Sequence, residues 1–172
     1  MIVNYEVIGT KLQEIWPLEE VKNYLRIAHD YDDALILNLK AAAIEVAENF
    51  TGLSLHSRQI NCSIQNTLGN ISLKYIPILE VKEVSLLDED NKKITDDFGY
   101  IETDNQVIHF KVSYIGRDLK IQYIAGFLNS IPRSIQHGIL MHIASMYEHS
   151  EYGTNLGSDI KNLYIPYRTL KI

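Results

Sequence analysis

The chain has few of the residues that fix a small protein covalently or tie it to a charged partner. One cysteine, Cys62, stands among 172 residues, which excludes an internal disulfide and makes a reducing compartment the default reading. Sixteen Lys and Arg face 22 Asp and Glu, for a net charge of −6. The basic residues are scattered, and duplex affinity depends on clustered ones, so a general phosphate-binding surface is not expected. No apolar run approaches the roughly 20 residues of a membrane-spanning helix. The start, "MIVNYEVIGTKL", lacks a basic opening and a long apolar middle, so no secretory signal is expected there. Without staples, a chain of this length is still able to bury a core as one domain, or as a small domain carrying an insertion.

Two helices open the pattern. Pro17 suits a first helical turn, and Glu19 and Glu20 complement the positive end of the helix dipole. Leu18, Val21, Tyr24 and Leu25 then share one side, predicting a helix from Leu18 to about Ile27. The stretch "DDALILNLKAAAIEVAENFTG" predicts a longer helix, with Asp30 or Asp32 as its N-cap and Gly52 ending it in the left-handed conformation. Leu35, Leu39, Ala42, Val46 and Phe50 make its expected inward stripe, widened by Ile36 and Ala43. Such a stripe does not fold alone; it needs a partner surface.

From Ser57 the period falls to two. "RQINCSI" and "ISLKYI" read as a strand pair across the turn "NTLGN". "VKEVSLL", "GYIET", "VIHFKV" and "LKIQYIAG" follow as further strands. Helical spacing returns in "IPRSIQHGILMHIASMYEHSE", with Ile135, Ile139, Ile143 and Met146 inward and Gly138 allowing close packing. "YGTNLGSD" reads as a loop, Asp159 to Leu163 as a short helical turn, and "LYIPYRTLKI" as an extended tail. The order predicts an α+β fold within one domain over 1–172. Its helical core comes from the N- and C-terminal segments, with a small antiparallel β-sheet or barrel inserted over 57–126. A loop and extended tail occupy 151–172.

No catalytic, cofactor or metal constellation emerges. His142 and His149 are seven apart, wider than the spacing of zinc pairs on a helix, and no Cys pair accompanies them. They read as surface or groove-lining imidazoles. In "DEDNKKITDDFG" a calcium loop counted from Asp88 would need Gly and Glu where Lys93 and Gly99 stand. "GTNLG" lacks the context of a phosphate loop, and no nucleophile elbow occurs. Cys62 lies in an alternating strand without a flanking base, as a buried structural thiol would. The reading is of a non-enzyme without cofactors. The eleven tyrosines are the compositional oddity. Tyr147, Tyr152, Tyr164 and Tyr167 gather near the C-terminus, either as a local lid or as interface residues.

Three pieces, in order, resemble the head–tail connector (adaptor) proteins of long-tailed phages, prophages and gene transfer agents. The first is Pro17, Leu25, Arg26 and Ile27, the acids Asp30, Asp32 and Asp33, and the long Ala-rich helix closing on Thr51 and Gly52. The second is the Ile-Pro opening of the late helix with its Tyr-Glu end, and the third is Pro166, Tyr167 and Arg168. Minimal members are nearly all helical, so this chain resembles a longer branch with a β insertion. The resemblance implies a virion neck protein, made in the host cytoplasm, that forms a ring of twelve copies beneath the portal protein. It would extend the channel, let DNA pass without specific binding, and bridge to a stopper or tail-completion protein, with no membrane involved. It also implies that Tyr164, Ile165, Pro166, Tyr167, Arg168 and Leu170 dock onto the portal or a neighbour. The alternatives are a monomeric tail-completion or stopper component of the same machinery, and a small hydrolase.

Overall fold

A computed structural model describes residues 1–11, 15–67, 70–87, 93–94, 100–104, 106–110, 115–127, 131–148 and 156–169. The chain divides into two compact units, one of strands (Met1–Leu12 and His56–Leu128) and one of helices (Gln13–Leu55 and Asn129–Ile172). The α+β expectation holds, and the helical unit draws on both ends of the sequence.

In the helical unit, α1 (Leu18–Leu25) starts at Pro17, whose carbonyl accepts from the amides of Glu20 and Val21. It stops at Arg26, a non-glycine residue in the left-handed region with φ 59°. α2 (Asp33–Thr51) ends on Gly52 at φ 79°, whose amide donates to the Glu48 carbonyl. Asp32 holds the N-cap position without a side-chain cap hydrogen bond; the carboxylates expected to cap are engaged elsewhere, as shown below.

The packed face of α2 also differs from the predicted stripe. Ile36, Ala43, Ile44, Ala47 and Thr51 are buried. Most of the expected stripe is shifted from that face by one residue, about 100° around the axis. Both faces are apolar, and the side with two alanines and Thr51 lets α3 come close. α3 (Arg133–Glu148) buries Ile135, Gly138, Ile139, Leu140, His142, Ile143 and Met146, including the whole predicted stripe. Each of its fully buried isoleucines contributes about 1.5–3 kcal/mol before conformational entropy is subtracted.

The strand unit holds two antiparallel sheets. One has the order β1-β2-β8-β4-β5, from β1 (Ile2–Lys11), β2 (Ser57–Gln65), β4 (Ile78–Leu87), β5 (Lys93–Ile94) and β8 (Asp118–Ala125). The other is β3-β7-β6, from β3 (Ile71–Ser72), β6 (Tyr100–Asp104) and β7 (Val107–Phe110). Strand β1 was not expected; it pairs with β2 from Ile2 opposite Gln65 to Lys11 opposite Ser57. The expected pairing of "RQINCSI" with "ISLKYI" is not formed. Strand β2 lies between β1 and β8, while β3 pairs with β7 in the other sheet. The alternation itself is as read. Ile60, Cys62 and Ile64 on β2 stand opposite Tyr123, Ile121 and Leu119 on β8, and all six are buried in one core with Ile71 and Ile108 of the smaller sheet. Burial pushes the Cys62 thiol up to about 12, so it is a packing residue. Residues 88–92 and 95–99, the bulk of the rejected calcium loop, lie outside the described residues.

Candidate assembly surface of the helical unit

The helical turn expected over Asp159 to Leu163 is present, and helix continues where the pattern suggested an extended tail. Helix α4 (Ser158–Tyr164) continues into a 3-10 turn, Ile165–Tyr167, with Pro166 in its first positions. Ile160 and Tyr164, four apart and both buried, give this short helix an inner face that an extended chain would lack. Tyr164 fits because Gly138 has no side chain: a Cβ there would lie 2.9 Å from the Tyr164 Cζ and closer still to Cε1. The Tyr164 ring also meets Phe50 at 6.0 Å, and burial raises its hydroxyl pKa.

The implied docking residues therefore separate. Tyr164 is core and Tyr167 is half-buried, whereas Ile165 (56 % exposed), Pro166 and Arg168 face solvent. Leu170 lies outside the described residues. The turn is held against the C-terminal end of α2. The Thr169 amide and hydroxyl both donate to the Thr51 carbonyl, at 2.8 and 3.0 Å, and the Arg168 guanidinium lies 5.4 Å from the Phe50 ring centre.

At the other end of α2 a second feature is built around Lys22. This lysine is buried on α1, and its Nζ donates to Asp30 at 2.5 Å and pairs with Asp33 at 2.9 Å. The ammonium holds the Asp30 carboxyl below its usual range, and the two carboxylates raise the Lys22 pKa. Asp32 is tied as well, accepting from the Tyr147 hydroxyl at 2.6 Å. These bonds are the reason the aspartates do not cap α2. Between them Tyr31 projects with 94 % of its surface exposed, its ring 5.5 Å from that of His29. Leu35, in the first turn of α2, is 48 % exposed. In the sequence these acids mark a helix start and the acidic turn of the resemblance; that Lys22 and Tyr147 hold them is visible only in the fold.

His142 corrects another expectation. It is buried, not on the surface or in a groove, and neither ring nitrogen has a partner among the described residues. His149 lies outside them. Among the described residues no group of three or more His, Cys, Asp or Glu is arranged to hold a metal, and no helix is long and apolar enough to cross a membrane. What the helical unit offers is surface: two exposed apolar features at opposite ends of one rigid helix.

A family model described as phage gp6-like head-tail connector protein matches residues 17–164. The chain belongs to that family. The connector match begins at Pro17, ahead of α1, and closes on Tyr164, the last residue of α4, so both helical segments lie within it. Three solved structures share the fold at 19 % identity, each covering 100 % of this chain and 97 % of the other. They are chains in the neck of an empty gene transfer agent particle computed with C6 symmetry (TM-score 0.76), in the virion of a native gene transfer agent particle (0.75), and in the neck of a native particle computed with C12 symmetry (0.74). No curated protein matches the sequence. As a head–tail connector the chain has a structural role.

Proposed function

We propose that this connector acts as one subunit of a ring in the neck of a phage-like particle. Its 172 residues would work as a single adaptor between the portal protein and a stopper or tail-completion protein. The observation that carries the reading is the full-length likeness in fold to neck chains of particles with C12 and C6 symmetry, joined to the family match. A symmetric ring requires two different complementary faces on each subunit. The outer stripe of α2, on which Leu35 is exposed and Leu39, Ala42, Val46 and Phe50 are half-buried, leaves apolar area of the kind that a neighbour buries. Ile165, Pro166 and Arg168 form the exposed part of the terminal docking segment.

The test is electron microscopy of particles carrying a tagged copy of this chain. Density for the tag in a ring between portal and tail is expected. A tag found as a single copy per particle, or below the tail-completion ring, would replace the adaptor with a stopper component. Whether the terminal docking segment meets the portal or a neighbouring copy is read separately by co-purification of portal with Ile165→Asp/Arg168→Glu: lost binding assigns it to the portal, retained binding to a neighbour. Removing residues from Tyr164 onward is the wrong variant, since Tyr164 is core and its loss would unfold α4.

A further inference from the structure

We infer that the Tyr31 turn of one copy seats against the Ile165–Arg168 turn of the next, so that successive copies join head to tail through the two ends of α2. The inference rests on the ring reading and names the faces that meet.

The Tyr31 turn has the construction of a binding anchor. An aromatic side chain exposed to 94 % normally moves freely, and ordering it on binding costs conformational entropy. Here the backbone on both sides is fixed beforehand. Lys22 ties Asp30 and Asp33, Tyr147 ties Asp32, and the Asp33 amide donates to the Asp30 carbonyl at 3.3 Å. A rigidly mounted tyrosine of this kind is what carries binding energy at protein interfaces. Three aspartates stand here against one lysine, which engages two of them, and the Asp30 side chain is 87 % exposed. The anchor therefore has an acidic rim, and its partner should be apolar at the centre and cationic at the edge.

The second copy supplies that chemistry. Its Ile165 and Pro166 are exposed and apolar, and Arg168 is exposed beside them. That turn is as firmly mounted as the first, through Thr169 on Thr51 and Arg168 on Phe50. The two features do not meet within one copy. They flank a helix of 19 residues, about 28 Å long. Each copy therefore has one unsatisfied face of each kind, and pairing unlike faces is the heterologous contact that closes into a ring.

The experiment uses particles whose connector carries both Tyr31→Cys and Ile165→Cys, oxidised and separated under denaturing, non-reducing conditions. Cys62 is buried and does not compete. A ladder of covalent multimers is expected from the double variant, with nothing beyond dimers from either single variant. Rings seen by microscopy in the same particles without a ladder would overturn the contact and leave the ring reading standing; particles without a ring would overturn both. Tyr31→Ala provides the second measurement. Its melting temperature should match that of the unaltered chain, while its incorporation into particles in competition with that chain falls at least about tenfold, as for loss of an anchor worth more than 1.4 kcal/mol. Equal incorporation would overturn the proposal.

Discussion

At His142 the imidazole lies in the helical interior with both nitrogens unpartnered among the described residues, and burial lowers its pKa below 6.5. A charged ring there is desolvated and has no acceptor among the described residues, so the native state resists the proton that the unfolded chain accepts near pH 6.5. The unfolded state then binds more protons in that range, and linkage requires stability to fall with pH below about 6.5 and level off above it. Thermal melts across this range should show that fall. His142→Phe, which fills the site without a titrating group, should flatten it; a variant that tracked the original chain would assign the slope to other groups. Arg26 allows an independent check. Its φ of 59° costs a residue with a Cβ about 1 kcal/mol relative to glycine. Arg26→Gly should therefore raise the unfolding free energy by about that amount, read as a higher denaturant midpoint at unchanged slope.

Among the elements, α3 and α4 depend on one missing side chain. Gly138→Ala would drive a methyl group into the ring of the fully buried Tyr164, so that helix or ring would have to shift. We expect a loss of about 2 kcal/mol, largely recovered by adding Tyr164→Leu; a single variant with unchanged stability would mean that α4 is not docked on α3 in solution. This contact also marks how far the sequence was readable. The glycine and the stripe Ile135, Ile139, Ile143 and Met146 announced that α3 is packed closely, but not that α4 is what packs there. Pro166 and the short run after Leu163 suggested an extended tail, since one turn of helix has too few positions to show a period. The ends of α2 were legible because Gly52 and the acids are local signals. Its inner face was not, because two apolar stripes are equally good until a partner selects one. Strand β1 was legible in principle, since Val3, Tyr5 and Val7 alternate with Asn4 and Glu6 and Val3 and Tyr5 pack against the strand core. The Tyr31 turn was beyond reach for a different reason: its rigidity depends on Lys22, eight residues before Asp30, and on Tyr147, 115 residues from Asp32.

For the molecule as a whole, charge decides what the proposed ring would do to DNA passing through it. Each copy would add a net −6, and the Lys and Arg residues are dispersed along the sequence, with no basic run to serve as a phosphate-binding stripe. Affinity for a duplex comes from releasing counterions at clustered cations, with a salt slope of about −0.9 for each phosphate neutralised. A channel wall that neutralised many phosphates would hold the genome during ejection, whereas one that neutralises few repels it weakly and leaves it mobile. The purified chain should therefore give no mobility shift with duplex DNA at tens of micromolar and about 0.15 M salt, where even non-specific binders have dissociation constants of about 10⁻⁴ to 10⁻⁶ M. Lowering the salt to about 0.05 M should bring at most a shallow gain. A steep gain, with the slope of roughly six or more phosphate contacts, would require that folding gathers scattered cations onto one face, and the ring would then be a clamp on DNA instead of a passive wall.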